Sequence, residues 1–166
     1  MKNQVNTVYK QAERFAEITK KAIIAGITGQ DGAYLAQLLL GKGYKVYGIT
    51  RDILDHNEEN LQYLDIADDI EMIELSSLDK ERIIKVLKKI GPHEVHNLSS
   101  QSSVGYSFQD PFSTLNYNIL SVLNWLEAII VTDKEIKFYQ ASSSEMFGNV
   151  PVADLPLKES LVFHPA

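Results

Sequence analysis

KAIIAGITGQDG, residues 21–32, is the stretch that decides the fold. Its apolar run from Ala22 to Ala25 has almost no polar alternation, which predicts a strand buried on both faces of a sheet. Three glycines follow, Gly26, Gly29 and Gly32. A glycine turn between a strand and a helix is typical of dinucleotide binding, because glycine permits the tight turn, the approach of a pyrophosphate and the close packing of helix on strand.

The amide groups of this turn are the predicted phosphate ligands, because the first turn of a helix has free N–H groups and the positive end of the helix dipole. The spacing is G-x-x-G-x-x-G rather than G-x-G-x-x-G, so a purely structural turn is the alternative. The candidate cofactor-binding residues of the turn are Gly26, Thr28, Gly29, Gln30, Asp31 and Gly32.

Outside this stretch the chain alternates between helical and strand-like apolar patterns. A helix with Tyr34 and Leu39 on its apolar face is predicted to stop at Gly41 and Gly43. Further strands are predicted at 46–49, 70–75, 94–98 and 136–141, and further helices at 78–90 and 114–131, with a helical turn near 61–64. Strands alternating with helices indicate an α/β fold, a Rossmann-type doubly wound parallel sheet with right-handed crossovers.

The end of the second predicted strand bears on which dinucleotide is bound. An acidic residue there binds the 2′-hydroxyl of NAD, whereas an arginine accommodates the 2′-phosphate of NADP. The sequence is Thr50-Arg51-Asp52. Arg51 comes first after the strand and favours NADP as the cofactor. Asp52 keeps NAD as the alternative cofactor. For Arg51 itself, the alternative is that it is a solvated surface residue with no ligand.

Composition excludes several other functions. The 166 residues suggest one domain, and a net charge of −6 with no basic stripe argues against nucleic acid as a partner. There is no cysteine, so disulfides and thiolate metal sites are excluded. The four histidines have no metal-ligand spacing, so we expect no metal. No apolar run approaches the roughly 20 residues that span a bilayer, so we expect no membrane partner and a cytoplasmic protein.

Residues 1–20 precede the regular pattern and are interpreted as a leader. Val8, Ala12, Phe15 and Thr19 recur at helical spacing, which predicts a short amphipathic helix. It would be an arm packed on the domain or, alternatively, a partner-binding helix. The domain itself is expected to occupy residues 21–166.

Five segments carry a resemblance to a known family. They are GQDGAYL at 29–35, NLSSQS at 97–102, Ser107-Phe108 with Pro111, LEA at 126–128 and FYQASSSEMFG at 138–148. In this order they resemble the extended short-chain dehydrogenase/reductase family and, within it, the GDP-mannose 4,6-dehydratases. The resemblance runs from about Lys21 to the last residue.

The resemblance implies an NADP-dependent lyase that acts on GDP-mannose or a related sugar nucleotide. The implied product is GDP-4-keto-6-deoxymannose, formed by oxidation at C4, loss of water across C5 and C6, and return of the hydride to C6. It implies Glu145 as the C5 base and C6 acid, and Ser143, where the family has threonine, as the group that polarises the C4 oxygen. A polar loop that satisfies its own backbone is the alternative for Ser142 to Ser144.

The resemblance also implies the remaining binding residues. Glu74-Leu75 stands where the family contacts the adenine, the 97–102 segment would line the ribose and nicotinamide, and Asn118 would brace the sheet from the long helix. The implied cofactor-binding residues outside the glycine turn and Arg51 are Leu75, Asn97, Leu98, Ser99, Ser100 and Ser102. The implied substrate-binding residues are Ser103, Ser107 and Ser144.

One family motif is missing from the 166 residues. No tyrosine is followed four residues later by a lysine, the Tyr-x-x-x-Lys pair that the resemblance implies for C4 oxidation. We therefore expect an incomplete NADP-binding domain, truncated before the last strands and the substrate domain, and inactive alone. The alternatives are an NADP-binding module or remnant without catalysis, or a related epimerase or reductase. The family further implies a homo-oligomer, a dimer or tetramer.

Overall fold

The computed structural model describes residues 19–51, 53 and 58–165. Five parallel strands form one sheet in the order β3-β2-β1-β4-β5. The strands are β1 Lys21–Ala25, β2 Lys45–Thr50, β3 Ile70–Glu74, β4 Glu94–Asn97 and β5 Lys137–Gln140. Ile23 at the centre pairs with Tyr47 on one side and Val95 on the other. All five predicted strands and their parallel arrangement are confirmed.

Helices cover both faces of this sheet. They are α1 Gln30–Gly41, α2 Glu59–Tyr63, α3 Lys80–Ile90, α4 Val104–Gln109 and α5 Pro111–Thr132. On one face Leu87 of α3 and Trp125 of α5 are fully buried in a cluster with Ile23. On the other face Ala36 of α1 is buried in a cluster with Ile24. Alternate residues of β1 thus enter opposite clusters, and the fold is the predicted α/β Rossmann type.

Capping side chains move two helix starts away from the positions predicted by periodicity. The helix predicted at 78–90 begins at Lys80, because the Asp79 carboxylate accepts a hydrogen bond from the Arg82 amide at 3.0 Å. The helix predicted at 114–131 begins at Pro111, because Asp110 accepts from the Ser113 amide at 2.9 Å.

The 104–109 segment is a further difference from the sequence prediction. The apolar pattern predicts no helix here, whereas the structure has a separate short helix, α4, that ends at Gln109 just before α5. The predicted helical leader lies, except for residues 19 and 20, outside the described residues.

The solvent side of α5 carries an apolar stripe. Its residues recur at intervals of three and four, so they lie on one helix face. This α5 stripe consists of the exposed residues Phe112, Leu115, Ile119, Leu123, Leu126 and Ile130. Despite the stripe, none of the helices in the described part of the chain is long and apolar enough to cross a membrane.

Candidate functional site

A cleft of about 790 Å³ lies at the carboxyl ends of β1, β2 and β4. It is centred on β1, from which the chain continues to β2 on one side while β4 pairs on the other. In open α/β sheets, ligands bind where the strand order reverses in this way. The cleft is lined by Ala25, Gly26, Thr28, Gly29, Ile49, Thr50, Arg51, Leu75, Ser77, Leu98, Ser99, Ser100, Gln101, Ser102 and Tyr117.

The glycine turn forms the floor of the cleft and is held tightly against β4. Gly26 has a φ of +84°, and a Cβ at this position would lie 2.9 Å from the Leu98 carbonyl carbon and from the Ser99 nitrogen. Its carbonyl accepts a hydrogen bond from the Gly29 amide at 3.2 Å. Both the backbone conformation and the approach of the β4 end therefore require glycine at position 26.

Gly32 allows α1 to pack closely against the glycine turn. A Cβ there would overlap the Gly26 carbonyl oxygen and lie 2.8 Å from the Ile27 Cα. Gly29 is less crowded, since its Cβ would meet only the Gly26 oxygen at 3.3 Å. As Gly29 is the N-cap of α1, no side chain caps the first-turn amides. These amides carry the positive end of the helix dipole, the feature that binds phosphate groups.

Gln30 and Asp31 lie in the first turn of α1, outside the residues that line the cleft. Asp31 is the acidic residue of that turn. Of the six predicted turn residues, those that do line the cleft are Gly26, Thr28 and Gly29. The structure thus brings half of the predicted turn residues to the cleft, and the binding role of all six stays a prediction.

Asn97 is buried beneath the cleft rather than lining it. Its Nδ2 donates to Gln140 Oε1 at 2.8 Å, which joins the ends of β4 and β5. Its Oδ1 accepts from the Ser99 hydroxyl at 2.7 Å and from the Ser99 amide at 3.3 Å. Asn97 therefore fixes the shape of the loop from which Leu98, Ser99, Ser100 and Ser102 line the cleft.

Asn118 braces this same loop, not a strand of the sheet. Its Oδ1 accepts from the Gln101 amide at 2.8 Å and its Nδ2 donates to the Gln101 carbonyl at 3.0 Å. The Gln101 side chain in turn donates to Thr114 Oγ1 at 3.1 Å and accepts from the Ser103 amide at 2.8 Å. The main-chain amide, the main-chain carbonyl and the side chain of Gln101 are thus all held against α5.

Two predicted cofactor residues line the opposite side of the cleft. Leu75, buried, follows β3, and Arg51, exposed, follows β2. The Arg51 guanidinium lies over the ring of Tyr117, with 5.8 Å between its central carbon and the ring centroid. Asp52, the residue that would favour NAD, lies outside the described residues.

The predicted catalytic residues lie at the same edge of the sheet, after β5, but outside the cleft lining. Ser143 caps a short 3-10 helix, Ser144–Phe147, by accepting from the Glu145 amide at 3.2 Å. Ser143, Ser144 and Glu145 are all exposed. The hydrogen bond of Ser143 is the local one that the polar-loop interpretation expects, and the catalytic roles stay predictions.

The predicted substrate residues of α4 are engaged locally. Ser103 caps α4 by accepting from the Tyr106 amide at 3.3 Å, and the Ser107 hydroxyl donates to the Val104 carbonyl at 2.7 Å. Neither lines the cleft. The structure therefore assembles most of the predicted cofactor residues around the cleft and leaves the predicted catalytic and substrate residues outside its lining.

Sequence reasoning missed Ser77, Gln101 and Tyr117 as cleft residues. Gln101 lay inside the quoted 97–102 motif, and its polarity in that motif was the available signal. Ser77 follows β3, so its place after a strand could have indicated it. Its buried hydroxyl accepts from Trp125 Nε1 at 3.2 Å. Within the described ranges, no three His, Asp, Glu or Cys side chains converge as metal ligands would.

Solved structures share this fold. UDP-glucose 4-epimerase from Brucella ovis, in complex with NAD, superposes with a TM-score of 0.75 at 22% identity, over 89% of this chain and 42% of that one. UDP-glucose 4-epimerase from Thermotoga maritima, with UDP-glucose, gives a TM-score of 0.74 at 26% identity, over 88% of this chain and 45% of that one.

Relatives found by sequence are more similar to this chain and identify its family more narrowly. A GDP-mannose 4,6-dehydratase from Vibrio cholerae is 39% identical over 153 residues, which are 88% of this chain and 41% of the relative. GDP-mannose 4,6 dehydratase 2 from Arabidopsis thaliana is 38% identical over 174 residues, covering 96% of this chain and 44% of the relative. The chain thus spans about two fifths of these relatives. The family model described as GDP-mannose 4,6 dehydratase matches residues 23–166, and the chain belongs to that family.

Proposed function

We propose that this chain forms the NADP-binding part of a GDP-mannose 4,6-dehydratase. The observation that supports this most is the cleft floor, where a close-packed glycine turn and an uncapped helix start meet in a chain of this family. The uncapped first-turn amides are free to donate hydrogen bonds to a phosphate group, which supports a binding role over a purely structural turn.

The residues present fit NADP. The α1 amides would bind the pyrophosphate, Leu75 would contact the adenine, and Ser99 and Ser100 would hydrogen-bond the ribose and nicotinamide side. Arg51 would bind the 2′-phosphate, for which a guanidinium offers paired donors. When bound, the nicotinamide supplies reversible hydride transfer with the hexose. The alternative cofactor is NAD, which the Brucella ovis epimerase structure contains.

Glu145 and Ser143 would act on the sugar. In this proposal the Glu145 carboxylate removes the C5 proton and then protonates the C6 oxygen, which leaves as water. The Ser143 hydroxyl would donate a hydrogen bond to the C4 oxygen, and Ser103, Ser107 and Ser144 would contact the sugar nucleotide. Both catalytic residues follow β5 at the edge where α/β sheets place their ligands.

The 166 residues contain no Tyr-x-x-x-Lys, so we propose that they bind NADP but do not complete the reaction alone. Purified chain should release no 4-keto sugar from GDP-mannose, and any turnover would contradict this part of the proposal. A homo-oligomer is proposed for the same protein, and the α5 stripe supports it because exposed apolar surface of this kind marks contact sites.

Ligand-induced stabilisation tests the binding proposal. A ligand that binds only the folded state raises the unfolding temperature, so NADP should raise the Tm of the purified chain. Arg51→Ala should reduce the shift caused by NADP and leave that caused by NAD unchanged. Lys134→Ala, an exposed cation remote from the cleft lining, should behave like the unaltered chain. An unchanged Tm at millimolar NADP would contradict the proposed function.

A further inference from the structure

Arg51 and Tyr117 meet across the cleft from different parts of the chain. Arg51 directly follows β2, whereas Tyr117 lies on α5, which connects β4 to β5. Both line the cleft, and the guanidinium carbon lies 5.8 Å from the ring centroid. Tyr117 is half-buried on a helix, whereas Arg51 is exposed after a strand, so the ring has the more enclosed position of the two.

An aromatic ring under a guanidinium positions it without consuming its hydrogen bonds. The attraction acts on the face of the planar group, and the N–H donors point outward in the plane of that group. A free arginine side chain has many rotamers, and ordering them opposes phosphate binding. An arginine already held over the cleft binds a phosphate with less ordering, because its geometry exists before the ligand arrives.

We propose that Tyr117 is a positioning residue that sets dinucleotide preference by holding Arg51 where the 2′-phosphate of NADP is bound. This inference rests on the proposed function, since it requires that the cleft take NADP. It adds a residue on α5, outside every motif quoted above, to the determinants of cofactor choice. The ring itself need not contact the dinucleotide for this effect.

The test is the ratio of the dissociation constants for NADP and NAD, measured by calorimetry on the purified chain. Tyr117→Leu removes the ring and should lower the preference for NADP about two- to fivefold, the range expected for an exposed cation–π contact, with NAD affinity unchanged. Tyr117→Phe keeps the ring and should keep the ratio. If Tyr117→Leu does not fold, Tyr117→Met replaces it as the variant without a ring.

A double-mutant cycle separates positioning from packing. In an Arg51→Ala background, Tyr117→Leu should have no further effect on the ratio. An equal loss of NADP and NAD affinity in Tyr117→Leu, or an unchanged ratio, would overturn the inference while leaving the proposed function intact. An unaltered chain that binds NAD as tightly as NADP would instead overturn both the NADP proposal and the role of Tyr117.

Discussion

Gly32 and Gly41 occupy the same helix, α1, yet face different surroundings. Gly32 is buried, and a Cβ added there would overlap the carbonyl of Gly26 and press on the Ile27 main chain. Gly41 is exposed, and nothing lies within 4 Å of a Cβ added there. Substitution of Gly32 therefore tests close packing against the turn, whereas substitution of Gly41 tests helix propensity alone.

Gly32→Ala should lower the free energy of unfolding by about 3 kcal/mol, because rigid backbone must move to admit the methyl group. Gly41→Ala, the control in the same helix, should leave it unchanged or raise it by up to about 1 kcal/mol, since alanine is the better helix former. Urea unfolding measures both. Equal midpoints for the two variants would mean that α1 does not press on the turn.

At the scale of single residues, the sequence predicts features that have a local backbone cause. It does not predict contacts between residues that are far apart in the chain. Gly26, Gly29 and Gly32 were identified because their spacing after a strand has a direct backbone cause. Tyr117 was missed because helical periodicity identifies the buried face and says nothing about which remaining residue borders a cleft. Ser143 and Glu145 were named by resemblance, and periodicity alone would have left them in a polar loop.

At the scale of elements, the apolar pattern placed every strand to within a residue or two. β1 and β2 are apolar runs flanked by polar residues or glycine, and β3, β4 and β5 are short segments of mixed apolar and polar residues between helical patterns. Helix starts were less predictable, since a cap lies outside the apolar pattern. Asp79, Ser103 and Asp110 each accept a hydrogen bond from an amide three residues on, and each starts a helix.

Asp110 makes the start of α5 sensitive to pH. The Ser113 hydroxyl and amide, and more weakly the Tyr106 hydroxyl, hold the pKa of the Asp110 carboxyl below its usual value. A depressed folded-state pKa stabilises the fold fully above the unfolded pKa of about 3.9, and the effect is lost as the pH falls through the folded value. The carboxylate contribution is thus present at neutral pH and absent in strong acid.

Asp110→Asn should therefore be less stable than the unaltered chain at neutral pH, and the difference should shrink as the pH falls below about 4. The asparagine keeps an acceptor for the Ser113 amide, so the comparison isolates the charge. Chemical unfolding across this pH range measures the difference. Ser113→Ala, which removes one donor to the carboxylate, should weaken the pH dependence, and a pH-independent difference for Asp110→Asn would contradict the assignment.

At the scale of the whole molecule, α5 has two apolar faces. One packs against the sheet and α3 through Trp125, Ala128 and Ile129. The other is the exposed α5 stripe. Exposed apolar surface of this extent favours association because it leaves water on contact.

The chain should self-associate through this stripe. Leu115→Lys combined with Ile119→Lys should lower the average mass in sedimentation velocity, because two charges in the contact must be desolvated. Tyr63→Lys, at a residue that is 83% exposed on α2, is the control off the stripe and should leave the mass unchanged. Association of the double variant equal to that of the unaltered chain would place the contact elsewhere.

The central place of β1 in the sheet pairs it with a strand that lies far along the chain. The Lys21 amide at the start of β1 donates to His93, 72 residues further along the chain. The turn after β1 leaves the ribosome long before β4, and Gly26 is held against Leu98 and Ser99 only once β4 has arrived. Closing so long a loop is slow relative to local helix formation. We therefore expect the cleft to form late in folding, together with the pairing of β1 with β4.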